Sequence, residues 1–399
     1  MFTVSTGVEE GCDILIISAS YGGGHNQVAR ALTQELQEQA PGVNITTVDY
    51  CDLLYPFLSR FTQFSYAKSI RHFPVGYALY YQATGNISPD SFWQRRLNHM
   101  GYTELILLVN RLRPRIIIST FPLPAGVLSQ MKESGDLNIP IVTVITDYCV
   151  HSQWIHPYTD LYLVGSREMA DGLIKRGIPS SRIAVTGIPI LPAFSQNHDI
   201  VRIKQELGCL PNDRLIVFMG GYEGIFGTNR FSSILKDMPE DVKAVVITGT
   251  NQELFDKLDA AQHKHTNLKI YKHVDNIPAL MEAAEVLVTK AGGITISEAL
   301  VKGLPMVIYK PSPGQEEANA NYLWIHRAAI IAKGERRIKT AVQRMINDEN
   351  FRNRFRNNCL KIGKPNSALH SARLILKMMK SKSRTINLYH KLSRREIRA

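Results

Sequence analysis

Short runs of Ile and Val, too brief to be buried helices, alternate with amphipathic stretches along almost the whole chain. This pattern restricts the fold more than any other feature. In the first half the runs are Asp13–Ser18, Asn44–Val48, Ile116–Thr120, Ile141–Thr146, Leu161–Val164 and Ile183–Thr186. In the second half they are Leu215–Met219, Ala244–Thr248, Leu268–Tyr271, Val286–Thr289, Met306–Tyr309 and Ile330–Ala332. A helix is expected from His25 to Gln39, directly behind the first strand. Strand and helix in alternation build a doubly wound parallel sheet, so the fold class is α/β. With 399 residues the chain is long enough to do this twice. The segment Gly187–Asp199 carries two prolines and a polar run, which predicts a linker between the halves. Two such domains facing each other would place a cleft at the carboxyl ends of both sheets, where α/β proteins bind ligands.

Composition narrows the class of function. Hydrophobic residues at 44% and charged residues at 21% are ordinary for a globular protein. The five cysteines, Cys12, Cys51, Cys149, Cys209 and Cys359, are odd in number and show no C-x-x-C spacing, which argues against a disulfide framework or structural zinc. The start is polar and acidic, unlike a signal peptide, and no apolar run approaches the roughly 20 residues that span a bilayer. A cytoplasmic protein is expected, one that meets a membrane only from its surface. Net charge is +12. From Lys333 onward stand about 19 basic and about 4 acidic residues, leaving the remainder slightly acidic. Such a tail attracts nucleic acid or an anionic membrane. No helix-turn-helix, zinc finger or similar module supports nucleic acid as a partner.

Between Tyr55 and Met100 lies about a third of all the aromatic residues, interleaved with Arg60, Lys68, Arg71, Arg95 and Arg96 and a single acid, Asp90. Rings and basic side chains together suit the headgroup–acyl boundary of a bilayer, with Phe57, Phe61 and Phe64 as candidate contacts. A helical pair packing its aromatics on the domain core would read the same way.

Glycines cluster just behind strands. Tyr21-Gly22-Gly23-Gly24-His25 follows the first strand and opens a helix, a place where backbone amides approach an oxygen-rich ligand. It is also compatible with a plain tight turn. A dinucleotide fingerprint, with Asp49 as the ribose acid, fails because Gln27 stands where the third glycine belongs. His25 directly behind the glycines puts an imidazole at the cleft mouth, where a general base is wanted. In the second half, Gly220 and Gly221 end one strand. Gly292 and Gly293 end another, followed by Ile294, Thr295 and, in the first turn or so of the next helix, Glu298. A carboxylate there can accept ribose hydroxyls, or simply complement the helix dipole. The loop Lys310–Asn319 presents Gln315, Glu316 and Asn319, which suit sugar hydroxyls or a solvated turn equally well. Asp147, His151 and His156 share one loop with Trp154, a ring able to stack on a sugar or line a lipid path, but their spacing matches no specific metal site. No Asp-x-Asp pair of the kind that chelates a cation around a diphosphate was found, so a metal-independent enzyme is expected, with no cofactor.

The segments YGGGHNQVARAL, ITDYCVHSQWIHP, TGIPI, MGGYEG and TKAGGITISEALVKGLPMVIYKPSPGQEEANANY resemble the monogalactosyldiacylglycerol synthase family, and within it the processive diacylglycerol β-glucosyltransferases of Gram-positive bacteria. The likeness runs from about Asp13 to about Lys380. It implies a GT-B fold. The acceptor domain would span residues 1–190, the UDP-sugar domain 191–375, and a basic tail or helix 376–399. It implies an inverting, UDP-sugar-dependent hexosyltransferase. Glucose would pass from UDP-glucose to 1,2-diacylglycerol, once or processively, at the cytoplasmic face of an anionic membrane, giving a glycolipid of the lipoteichoic-acid anchor type. UDP-galactose is the alternative donor. A sugar-nucleotide epimerase and a UDP-sugar sensor on the same fold are further alternatives. Under the resemblance His25 is the base, oriented by Asp147. Gly220, Gly221, Gly292 and Gly293 hold the diphosphate together with Ile294 and Thr295. Glu298 takes the ribose, Val274 sits near uracil, and Gln315, Glu316 and Asn319 hold the hexose. Gly23, Gly24 and Trp154 line the acceptor side.

Overall fold

The computed structural model describes residues 11–20, 23–54, 84–85, 87, 91–220, 238–262 and 267–396. Every expected strand is present, with ends shifted by no more than two residues. The first sheet comprises β1 (Ile14–Ser18), β2 (Ile45–Asp49), β3 (Ile116–Ser119), β4 (Ile141–Val144), β5 (Leu161–Val164) and β6 (Ile183–Val185), in the order β2-β1-β3-β4-β5-β6. The second comprises β7 (Arg214–Met219), β8 (Val242–Ile247), β9 (Leu268–Tyr271), β10 (Ala284–Thr289), β11 (Met306–Tyr309) and β12 (Ala329–Ala332), in the order β12-β11-β10-β7-β8-β9. All described pairings are parallel. A parallel strand buried on both faces needs apolar side chains on both, and every residue of β1, β3 and β4 is buried. The chain is thus a GT-B fold of two Rossmann-like domains.

Strand order fixes where ligands bind. In the first sheet the chain runs from β1 outward to β2 and then crosses to β3 on the other side, so the crevice opens between β1 and β3. In the second it opens between β7 and β10, whose following loops carry Gly220 and Gly292–Gly293. The two crevices face each other across the domain boundary.

Gly187–Asp199, expected as a polar linker, is packed. Ile188, Ile190 and Phe194 are buried, and Asp199 caps the helix Ile200–Glu206 by accepting from Val201 and Arg202 amides. The backbone of Ile190 donates to Ser367 Oγ at 3.3 Å, and Ser195 Oγ donates to the Pro365 carbonyl at 3.1 Å. At Ser367 begins the last helix, Ser367–Glu396, which packs on the helix Gly24–Gln39 of the first domain. Ala372, Ile375, Leu376 and Met379 are buried there beside Leu32 and Leu36. The basic stretch from residue 376, expected as a tail or helix, continues to Glu396 a helix that is anchored at its start. Among the described residues no helix is long and apolar enough to cross a membrane.

Candidate functional site

His25 is the second residue of the helix Gly24–Gln39, at the first switch point. Its Nδ1 lies 2.7 Å from the carbonyl oxygen of Thr120, in the loop that follows β3, and 3.2 Å from Thr146 Oγ1, behind β4. The ring meets Phe121 edge-on at 5.0 Å and lies 6.3 Å from Trp154. Burial pushes its pKa down to about 4, against the opposing pull of the Thr120 carbonyl and the more distant Asp49 carboxylate. The imidazole is neutral at neutral pH, as a general base must be.

Asp147 is expected to orient this ring, but it does not. Its Oδ1 instead accepts from Asn319 Nδ2 at 2.9 Å. Thr120 and Thr146 hold the imidazole, a pairing that depends on β3 lying beside β1 and β4 beyond it, and so leaves no trace in local spacing. Burial lifts the Asp147 carboxyl to about 6; the Asn319 bond opposes the shift and Glu316 adds to it. His151 and His156 do not join Asp147. His151 Nδ1 accepts from the Gln153 amide and its Nε2 faces Thr84, while His156 Nε2 meets the Gln153 carbonyl. Among the described residues no three metal-ligating side chains gather. Trp154 is buried with Ile145, Ile155 and Tyr162, so it forms the wall behind His25 rather than an open platform.

The facing wall comes from the second domain. Gly220 ends β7 and is buried. Gly292 caps the helix Gly293–Val301, whose free N-terminal amides and dipole suit a diphosphate. Gly293 sits so close to the Thr146 carbonyl that a Cβ there would overlap the oxygen, which explains the glycine. Ile294 reaches Gly24, where an added Cβ would lie 3.5 Å from Ile294 Cγ1. The two glycine loops therefore meet across the cleft.

Thr295 is half-buried on the same turn. Glu298 lies in the second turn of this helix, one turn deeper than expected, and shares a face with Ile294. Its carboxyl has no hydrogen-bond partner among the described residues, and burial alone raises it to about 8. Val274, just beyond β9, is buried in the same core as Ile294. Gly314 has φ +96° and ψ −125°, a conformation open only to glycine, and it starts the helix Gln315–Ile325. Gln315 and Glu316 are half-buried at its first turn, with Glu316 accepting from the Ser312 amide at 2.6 Å. Asn319, expected to hold a hexose, is fully buried and bonded on every side to protein. Gly221, Tyr21, Gly22, Phe57, Phe61 and Phe64 lie outside the described residues; Gly23 is exposed at the head of the first glycine loop.

Sequence reading missed Tyr148, Ser297 and Tyr322. Tyr148 stacks on Tyr322 with ring centres 4.4 Å apart, and its hydroxyl lies 2.9 Å from Ser297 Oγ. Burial pushes the Tyr148 phenol up to about 12. Only the adjacency of Tyr148 to Asp147 gave any sequence signal.

Residues 25–190 match the monogalactosyldiacylglycerol (MGDG) synthase family model, and residues 200–361 match glycosyl transferases group 1. The chain is 32% identical over 343 residues to the processive diacylglycerol beta-glucosyltransferase of Bacillus cereus (strain AH187), covering 84% of this chain and 86% of that protein. It is 32% identical over 360 residues to the protein of the same name from Bacillus licheniformis, covering 89% and 92%. Among solved structures it is similar in fold to Acinetobacter baumannii MurG, with TM-score 0.58 and 13% identity over 91% of this chain and 99% of that one.

Proposed function

The chain belongs to the family of the processive diacylglycerol β-glucosyltransferases, as a UDP-sugar glycosyltransferase, and on that premise we propose that it transfers glucose from UDP-glucose to 1,2-diacylglycerol with inversion. The acceptor hydroxyl attacks C1 of glucose while its proton passes to His25 Nε2. The bond from C1 to the diphosphate oxygen breaks on the opposite side, and UDP leaves with the electron pair. Amides of Gly220, Gly221, Gly292 and Gly293 receive the charge that develops on the diphosphate. Glu298 accepts ribose hydroxyls, Val274 borders uracil, and Gln315 and Glu316 hold the hexose. No step calls for a metal.

One observation carries the reading: His25 stands at the first switch point while the Gly293 helix meets the same loops from the second domain. That geometry supports reading His25 as a neutral base across a narrow cleft from a helix terminus suited to phosphate. The product is a β-glucosyl-diacylglycerol of the kind that anchors lipoteichoic acid, and further glucose can be added in turn. Because the acceptor stays in the bilayer, the enzyme works as a peripheral protein on the cytoplasmic face of an anionic membrane. Phe92 and Leu107, 68% and 64% exposed, support a contact near Arg95 and Arg96. Incubation with dioleoylglycerol vesicles and tritiated UDP-glucose should put label into lipid in the β configuration. Label that enters lipid only from UDP-galactose would change the donor; label that stays in water from both donors would end the reading.

A further inference from the structure

Asn319 exposes no surface, and its amide makes three hydrogen bonds. Nδ2 donates to Asp147 Oδ1 and to the Ala291 carbonyl, each at 2.9 Å, which uses both of its hydrogens. Oδ1 accepts from the Tyr148 amide at 2.7 Å. Two partners belong to the first-domain loop behind β4, and the third opens the Gly292–Gly293 loop. Asn319, Tyr322 and His326 recur at the three- and four-residue spacing of one helix face. Tyr322 stacks on Tyr148, and His326 Nε2 pairs with Glu168 Oε1 at 3.0 Å. One stripe at the helix Gln315–Ile325 and its C-cap is thus fastened to the first domain. The same helix carries Gln315 and Glu316 one turn earlier. Beyond Asp147 stands Thr146, whose hydroxyl lies near His25 Nδ1 and whose carbonyl packs on Gly293.

We infer that Asn319 is a positioning residue, an interdomain latch that touches no sugar and holds the Thr146–Tyr148 loop, and through it His25, in register with the donor loop. This rests on the transferase reading above. Chemistry of this kind needs the acceptor hydroxyl in line with C1 and water excluded, and both require the domains to meet in one arrangement. The nucleotide, by contrast, is bound within the second domain and does not need the latch. Losing Asn319 should therefore cost turnover and spare UDP affinity. The charged group facing Asp147 is Glu316, from the latch helix, while His25, beyond Thr146, is neutral at both pH values of the test below. A carboxylate at position 319 would thus meet a like charge at Asp147 unless one of the two is protonated.

The test uses the full chain with Asn319→Ala and Asn319→Asp. UDP and UDP-glucose binding are measured by calorimetry, and glucose transfer to dioleoylglycerol at pH 5.5 and 8. Asn319→Ala should lose turnover on the order of 10–100-fold, with both affinities within about twofold of the parent. Asn319→Asp should be poor at pH 8 and recover toward the parent at pH 5.5, where a shared proton restores the bond to Asp147, while the parent gains nothing from acid. Loss of UDP-glucose affinity alone, at both pH values, would make Asn319 a sugar ligand and overturn the latch; so would near-parental turnover in Asn319→Ala. A parent inactive on lipid would end the transferase reading instead. The latch is then read from the Tyr148 amide, whose hydrogen exchange should quicken in Asn319→Ala, and unchanged protection would refute it.

Discussion

The Thr120 carbonyl oxygen fixes the tautomer of His25. A carbonyl can only accept, so at 2.7 Å the ring must donate from Nδ1, which leaves the lone pair on Nε2. The neutral ring thus keeps a lone pair suited to a base, with no carboxylate among its hydrogen-bond partners. His25→Ala should reduce turnover by about 10²–10⁴-fold with UDP affinity unchanged. Because burial holds His25 near 4, the base is lost only as pH falls toward that value. Its acid limb in kcat/KM should lie well below the 6.5 of a free imidazole, and a limb at or above 6.5 would remove His25 from the role.

Glu298 carries a carboxyl raised to about 8 with no partner among the described residues. A carboxyl whose folded pKa exceeds its unfolded value weakens the fold as pH rises between the two. Replacement by Gln should therefore raise the melting temperature at pH 8 and change little near pH 4.5. The same substitution should weaken UDP binding by about 10–100-fold at alkaline pH, where ribose hydroxyls lose an ionised acceptor. Calorimetry with unchanged UDP affinity and intact fold would defeat the ribose assignment.

Two glycines of one cleft should respond oppositely to a methyl group. Gly293→Ala drives Cβ into the Thr146 carbonyl, backbone that cannot swing aside, so the loops must part. A displacement of about 1 Å can cost on the order of 10²-fold in rate. Gly24→Ala meets only Ile294 Cγ1 at 3.5 Å, an ordinary contact, and should keep turnover within a few-fold. Equal losses from both would mean the loops are not keyed as described.

Periodicity made the fold legible, because a parallel strand buried on both faces must read as a continuous apolar run, as Ile14–Ser18 and Ile116–Ser119 do. Two loop glycines were legible for a similar reason: Gly293 and Gly314 answer backbone demands that no other residue meets. Partnerships across strands and domains were not legible. That His25 bonds Thr120 depends on β3 crossing to the far side of β1, and that Asn319 bonds Asp147 depends on two domains closing. Neither is encoded in residue spacing. The linker does join the two sheets, but its prolines and polar run gave no sign that Ile188, Ile190 and Phe194 would be buried in a core shared with the last helix.

Membrane attachment offers the last prediction. The stretch Tyr55–Met100 is aromatic and basic. Its described end exposes Phe92 at 68% and Met100 at 40%, with Leu107 at 64% on the next helix. The prediction is that these exposed apolar side chains insert at the headgroup boundary with Arg96 at phosphate, Arg95 being paired with Glu133 at 3.3 Å. On anionic lipid the basic C-terminal region should add roughly 1 kcal/mol per well-placed charge, fading with salt. Binding to vesicles containing phosphatidylglycerol should accordingly be salt-sensitive. Phe92→Ser with Leu107→Ser removes apolar contact without touching the donor loops, so vesicle binding and lipid glucosylation should fall together while UDP affinity holds. The triple change of Phe57, Phe61 and Phe64 to Ser tests the front of the same stretch. Undiminished vesicle binding in both variants would remove Tyr55–Met100 and Leu107 from the membrane contact and move it to the basic helix Ser367–Glu396.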